Sequence, residues 1–329
     1  MKPTKQILSA AMVLCLLFCL SLAVFADGDG FIGARYTDSS TVTVTKIYRL
    51  NGDGSSPQET FTLRQVGDGV VKDGDASSAP ALGTITGAAF SEGAASEDGT
   101  EAEITIALPS YERVGIYEYT LAEVGGTTAG VTYYENEIRL VVTVINDEST
   151  GKLRVAAVHT EGIGDEKSDC FPNVYSAGKL NISKEVTGNL GDKTRYFTFT
   201  VTLTGEANKT YAEAFAVSGG SSDRNPTSIK LGESTTFYLK ADDTVTISNL
   251  PYGVSYTVTE DTPSDYTLVK SGDSGTVGAA SQTASFTNNK GGNPDTGILL
   301  DSVPYIAVLV IIGAAAVVVI LKKHFMKNR

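Results

Sequence analysis

The chain has 329 residues and a formal net charge of -12, long enough for two ordinary domains and acidic enough to exclude nucleic acid and anionic membrane as partners. Of its 3 cysteines and 2 histidines only Cys170 and His159 lie between the two ends, which leaves a zinc site or Ser-His or Cys-His catalysis without partners. No metal, no cofactor and no enzymatic turnover is therefore implied.

Lys2 and Lys5 precede an apolar run from Ile7 to Ala23 and the small-residue site at Ala26, the pattern of a secretory signal peptide over residues 1–26. A membrane anchor is the competing reading. The run is short, however, and Asp27-Gly28-Asp29-Gly30 follows it in place of stop-transfer charges. Cys15 and Cys19 leave with this leader, so Cys170 has no partner for an intramolecular disulfide in the mature chain.

Beyond Ala26 the sequence reads as all-β, with period-2 runs of Val, Thr, Ile and Tyr separated by Gly, Asp, Asn and Ser. Strands are predicted at 41–48, 60–64, 102–108, 115–124, 137–146 and 152–160, giving a first domain over 27–176. Residues 67–99, rich in Gly, Ala, Ser and Asp, are expected to be a surface excursion too polar for the core. The pattern then restarts, with strands at 179–186, 196–204, 234–239, 244–248, 255–260 and 284–288 in a second domain over 177–290. Two tandem β-sandwiches of immunoglobulin-like type are the expected packing.

A linker over 291–302 contains Asn293-Pro294-Asp295-Thr296-Gly297. An apolar segment over 303–321, long enough for a transmembrane helix, follows it, and then a basic tail over 322–329. The pentapeptide alone is a turn; an ordinary single-pass membrane protein with a chance match is the competing reading. Placed directly before a span and a basic tail, it resembles the sortase sorting signal of Gram-positive bacteria, Leu-Pro-x-Thr-Gly, with Asn293 in place of leucine. That resemblance implies that a sortase cysteine attacks the Thr296 carbonyl, releases Gly297 onward and passes Thr296 to an amine. The chain would thus be secreted, held at the membrane until cleavage, and finally fixed at the cell surface.

Three features occur once in each half, in the same order. Val42, Val44 and Lys46 share one strand face, as do Leu180, Ile182 and Lys184. A tyrosine-bearing strand then ends on a glutamate in phase with its apolar face, Glu123 in the first half and Glu260 in the second. Each half closes with Phe-x-Asn, as Phe171-Pro172-Asn173 and Phe286-Thr287-Asn288. Singly, these read as a snorkelling lysine, a solvated acid and a turn asparagine. Their joint repetition in matched phase does not. Pro172 withholds a backbone donor inside the first closing segment.

With Leu180-Asn181-Ile182-Ser183-Lys184-Glu185-Val186-Thr187-Gly188 opening the second half, the arrangement resembles the streptococcal-type major pilin family with isopeptide-linked immunoglobulin-like domains. The resemblance implies that Lys46 joins Asn173 beside Glu123, and Lys184 joins Asn288 beside Glu260, each releasing ammonia. Burial favours a neutral, nucleophilic amine and a protonated carboxyl that relays protons, and folding supplies proximity. Such a step happens once per domain.

The resemblance also implies an acceptor lysine for Thr296 shortly before the first Phe-x-Asn. Lys167 occupies that neighbourhood and Lys179, at the domain junction, is the alternative; a solvated loop lysine is the plain reading of either. The function expected is a structural subunit of a sortase-assembled pilus, with a sortase, other pilin copies and host surface ligands as partners. The alternative is a monomeric wall-anchored adhesin or accessory pilin whose acceptor belongs to peptidoglycan.

Overall fold

The computed structural model describes residues 40–162, 167–293, 308–309 and 311–312. Residues 40–162 and 167–293 contain strands and no helix. The signal peptide, Pro294 to Gly297, the tail and nearly all of 303–321 lie outside the described residues. No helix among the described residues is long and apolar enough to cross a membrane.

The first half contributes β1 (Thr41–Gly52), β2 (Glu59–Phe61), β3 (Leu63–Gln65), β4 (Val70–Gly74), β5 (Ile85–Thr86), β6 (Ala88–Phe90), β7 (Thr100–Ala107), β8 (Gly115–Glu123), β9 (Val131–Thr132), β10 (Ile138–Asn146) and β11 (Leu153–Glu161). The alternation that marks these strands in the sequence is the alternation of burial. Ile138, Leu140, Val142 and Val144 of β10 face inward, while Arg139, Val141 and Thr143 face the other way. One sheet, ordered β11-β10-β8-β3 with β4 on β8, packs against β1, β7 and β5. Val44, Tyr48, Ile104 and Ile106 meet Tyr117, Tyr119, Leu121 and Leu140 between them.

Residues 67–99 differ from expectation. They hold β4, β5 and β6, and Ala88, Phe90 and Ala95 are buried in this core. Short apolar stretches, too brief to dominate the local composition, still find the sheet once β6 pairs with β2.

β12 (Cys170–Thr187) joins the halves, and the second half adds β13 (Phe197–Thr204), β14 (Phe215–Gly219), β15 (Ser228–Ile229), β16 (Ser234–Leu239), β17 (Thr244–Pro251), β18 (Ser255–Asp261), β19 (Thr267–Ser271), β20 (Ser274–Thr276) and β21 (Ser281–Asn289). A sheet ordered β16-β13-β18-β20 faces β12, β14, β17 and β21 across a second core that includes Leu180, Ile182, Phe199, Val201, Val258 and Phe286.

β12 is one strand of 18 residues that serves both halves. Its first part runs parallel to β1, from Thr45↔Cys170 to Gly52↔Ala177. Its second part runs parallel to β21, from Lys179↔Ser281 to Thr187↔Asn289. At about 3.3 Å per residue it extends for nearly 60 Å. Gly178 lies where it passes from one body to the other. A Cβ there would stand 2.1 Å from the Ala279 carbonyl oxygen, so this close approach requires glycine.

Candidate functional site: a buried lysine, glutamate and asparagine in each half

Parallel pairing puts the repeated residues into the same register twice. Lys46 faces Phe171 and Tyr48 faces Asn173 across β1 and β12. Lys184 faces Phe286 and Val186 faces Asn288 across β12 and β21. In each case the asparagine stands opposite the second residue after the lysine, on the same face. Lys46, Asn173, Lys184 and Asn288 are all buried, and the side chains of Glu123 and Glu260 are fully covered.

In the first half, Lys46 Nζ donates to Asn173 Oδ1 at 2.8 Å and to Glu123 Oε2. Asn173 Nδ2 donates to Glu123 Oε1 at 2.6 Å, and the Tyr134 amide donates to the same oxygen at 3.3 Å. The Phe61 and Tyr134 rings flank the amine, with centroids 5.2 and 5.7 Å from Nζ. Glu123 is the last residue of β8, and strand phase carries it inward behind Tyr117, Tyr119 and Leu121.

Pro172 does not disturb this ladder. Thr45 N donates to Asp169 O at 2.6 Å, which places the amides of Phe171 and Asn173 on the β1 side and the Pro172 nitrogen on the other. There, β9 pairs only with Val174 and Tyr175. The missing donor therefore falls where no strand waits for it.

In the second half, Lys184 Nζ donates to Glu260 Oε1 at 3.1 Å and Oε2 at 3.0 Å, and Asn288 Nδ2 donates to Glu260 Oε1. The Phe197 centroid lies 4.4 Å from Nζ. Asn288 Oδ1 is buried without a hydrogen-bond partner. Glu260 sits on β18 beside Phe199 of β13.

A lysine inside an apolar core resists its charge. Burial lowers the Lys46 pKa to about 8 against the opposing attraction of Glu123. Burial likewise lowers that of Lys184, with the hydrogen bond to Glu260 pulling the other way. Each carboxylate bridges an amine and a carboxamide nitrogen, so it can take a proton from one and deliver it to the other. Among the described residues no donor besides Lys46 Nζ reaches Asn173 Oδ1, and none reaches Asn288 Oδ1.

Strand phase identified all six of these residues. It missed the aromatic rings over the amines and the Tyr134 amide, because these arrive from strands and loops whose pairing a sequence does not display. Lys167 is exposed, three residues before β12 begins, and its backbone pairs antiparallel with that of Glu161 at the end of β11. Lys179 is tied to Asp53 by a 2.6 Å ion pair across the junction. Asn293 is exposed beyond β21, whose last residue pairs with the end of β12. Lys167 and Asn293 therefore lie past opposite ends of that strand. Among the described residues no group of His, Cys, Asp and Glu could hold a metal ion.

Residues 42–176 match a family model described as a Spy0128-like isopeptide containing domain (FctA), and residues 178–290 match a domain of unknown function (DUF7601). A curated pilin of Streptococcus pyogenes serotype M1 is 26% identical over 319 residues, covering 89% of this chain and 93% of the relative. The pilus tip adhesin Cpa of Streptococcus pyogenes is 31% identical over 144 residues, covering 42% of this chain and 20% of the adhesin. The crystal structure of the major pilin from Streptococcus pyogenes shares the fold, with a TM-score of 0.51 and 23% identity over 77% of this chain and 99% of that one. With its buried lysine, glutamate and asparagine repeated in register along one shared strand, the chain is similar over residues 42–176 to the Spy0128-like isopeptide containing domains and over 89% of its length to a streptococcal pilin.

Proposed function

We propose that this chain is the structural subunit of a covalently assembled pilus on a Gram-positive cell surface, built of two immunoglobulin-like domains that each form one internal Lys–Asn isopeptide bond. The observation that carries the reading is the duplicated register on β12, with Lys46 and Asn173 already in contact at 2.8 Å.

The step balances without any co-reactant. The Lys46 Nζ lone pair attacks Asn173 Cγ and a C–N bond forms. Glu123 moves a proton from Nζ to Nδ2, the Cγ–Nδ2 bond breaks and ammonia leaves. Lys184, Asn288 and Glu260 perform the same exchange in the second domain. Holding amine and carboxamide in contact makes the reaction effectively unimolecular. Aromatic and aliphatic walls keep water from competing.

Assembly follows from where the ends lie. A sortase cleaves after Thr296 within Asn293-Pro294-Asp295-Thr296-Gly297 and joins Thr296 to Lys167 of the next copy, so the copies run head to tail. Lys179 is the less suitable acceptor because Asp53 holds its amine. Similarity to the tip adhesin Cpa supports a second reading, in which the chain is an accessory subunit or adhesin joined once to the wall.

Two measurements decide. Intact mass of the secreted region will fall short of the sequence mass by two ammonia molecules; a full mass overturns the crosslinking. Wall extracts on denaturing gels will give a ladder that disappears in Lys167→Arg, whereas a single released band selects the adhesin reading.

A further inference from the structure

Glu123 ends β8, and the chain then makes an excursion over 124–130 before returning through β9 to Tyr133 and Tyr134. Both ends of this excursion bear on the acid. Glu123 is one end, and the Tyr134 amide that bonds Glu123 Oε1 is just past the other. At the tip the Thr128 hydroxyl donates to Glu59 within the first domain, and the other domain adds a backbone clamp. Thr210 N donates to Thr127 O at 2.8 Å, Ala129 N donates to Thr210 O at 2.9 Å, and the Thr127 and Thr210 hydroxyls meet at 2.9 Å. Asn208, in the left-handed region at φ 62°, turns the second-domain loop toward this contact.

A cleft of about 530 Å³ lies beside the clamp, walled by Arg64, Glu123, Tyr134 and Gly126 from the first domain and by Lys209 from the second. The equivalent acid has no such dependence. After Glu260 the chain turns through Pro263 and Tyr266, whose hydroxyl accepts from the Asp192 amide at 2.9 Å within the same domain.

We infer that the second domain completes the first domain's crosslinking site: Thr210, clamped onto Thr127 and Ala129, is a positioning residue for Glu123. The inference rests on the reading that both triads crosslink. Before the second domain folds, the excursion keeps its first-domain ties, the Thr128 hydroxyl on Glu59 and the pairing of Glu123 with Leu63, but lacks the Thr210 clamp, and the carboxylate that must touch both Nζ and Nδ2 is held less firmly. The Lys46–Asn173 bond then waits for the second domain, while the Lys184–Asn288 bond waits for nothing outside its own domain. The domain that leaves the cell first is thus stapled only once the chain behind it has folded.

The test uses the whole secreted region, recovered unfolded from cell-free synthesis and refolded by dilution, with each bond followed by mass after proteolysis. Thr210→Pro removes the Thr210 N–H and is expected to slow the Lys46–Asn173 bond roughly 10- to 100-fold, the cost of a misplaced reacting group, with the Lys184–Asn288 bond unchanged. Thr210→Ala keeps both backbone hydrogen bonds and restores the wild-type rate. Equal rates for the first bond in wild type and Thr210→Pro overturn the inference. If Thr210→Pro slows the second bond as well, Ala129→Pro cuts the same clamp from the first-domain side, and an unchanged first bond there overturns the inference equally. A wild-type chain that loses no ammonia instead overturns the crosslinking reading on which this one stands.

Discussion

Asn289 pairs with Thr187, the last residue of a strand whose first residue, Cys170, pairs with Thr45 in the other domain. A pull applied between Lys167 and Thr296 therefore enters β12 at one end. Through the proposed Lys184–Asn288 bond it would cross to β21 and leave without passing through residues 40–162 or 185–287. Only the second bond lies on this path. In force spectroscopy with handles at Lys167 and after Asn293, Asn288→Ala is expected to release the 185–287 segment, about 350 Å at full extension. Asn173→Ala is expected to add no length. Equal extension in the two variants would refute this load path.

The first bond has a different consequence. The proposed Lys46–Asn173 bond would close a loop between residues 127 apart in sequence, and by analogy with disulfides such a closure is worth about 4–5 kcal/mol. Asn173→Ala is expected to lower the melting temperature of the first domain by roughly 10–20 °C, with the second domain's transition unmoved. Calorimetry resolves the two transitions, and Asn288→Ala should give the reciprocal pattern.

Much of this architecture is legible in the sequence, and the division is physical. A lysine in phase with Val42 and Val44, or an asparagine in phase with phenylalanine, betrays itself because strand period is two and burial of polar groups is rare. The register that joins them is set by long-range pairing and leaves no local trace. The sequence therefore breaks β12 into a closing strand and an opening strand, whereas the chain runs unbroken through Ala177 and Gly178. Residues 67–99 mislead in the opposite way, since Ala88 and Phe90 are buried within a stretch of polar average composition. Contacts such as Thr127 with Thr210, 83 residues apart, carry no sequence signal at all.

The pH dependence of the first bond follows from the proton count of its pair. At neutral pH Lys46, whose pKa burial lowers to about 8, still carries a proton that can be relayed to Asn173. Above about 8 the amine is neutral and that proton is gone. The negative oxygen that forms on Asn173 then has neither an acid nor a buried donor to receive it. The rate of ammonia loss is expected to be level near neutrality and to fall as pH rises past about 8. A rate that climbs through this range would show that a neutral amine suffices. Stability of the uncrosslinked domain moves the other way. Between about 8 and the ordinary lysine value of 10.5 the unfolded chain binds the extra proton, so its stability rises with pH.

The junction depends on Asn249, which adopts φ 57° to bring its side chain to the first domain. Its Oδ1 accepts from the Ser55 amide at 3.0 Å and from the Tyr175 hydroxyl at 3.1 Å, while its Nδ2 donates to the Ser55 carbonyl at 2.9 Å. Gly54 leaves the room, since a Cβ there would stand 2.4 Å from Asn249 Oδ1. Asn249→Ala loses these bonds and also strains the left-handed backbone, at a combined cost of roughly 2–3 kcal/mol. Asn249→Gly relieves the strain and loses only the bonds, so about half of that is expected. Neither change touches a triad, so both variants should still lose two ammonia molecules. What they loosen is the angle between domains, measured as a broader distance distribution between spin labels placed at Lys72 and Lys230. An unchanged distribution in Asn249→Ala would assign the stiffness of the junction to β12 and the Lys179–Asp53 pair.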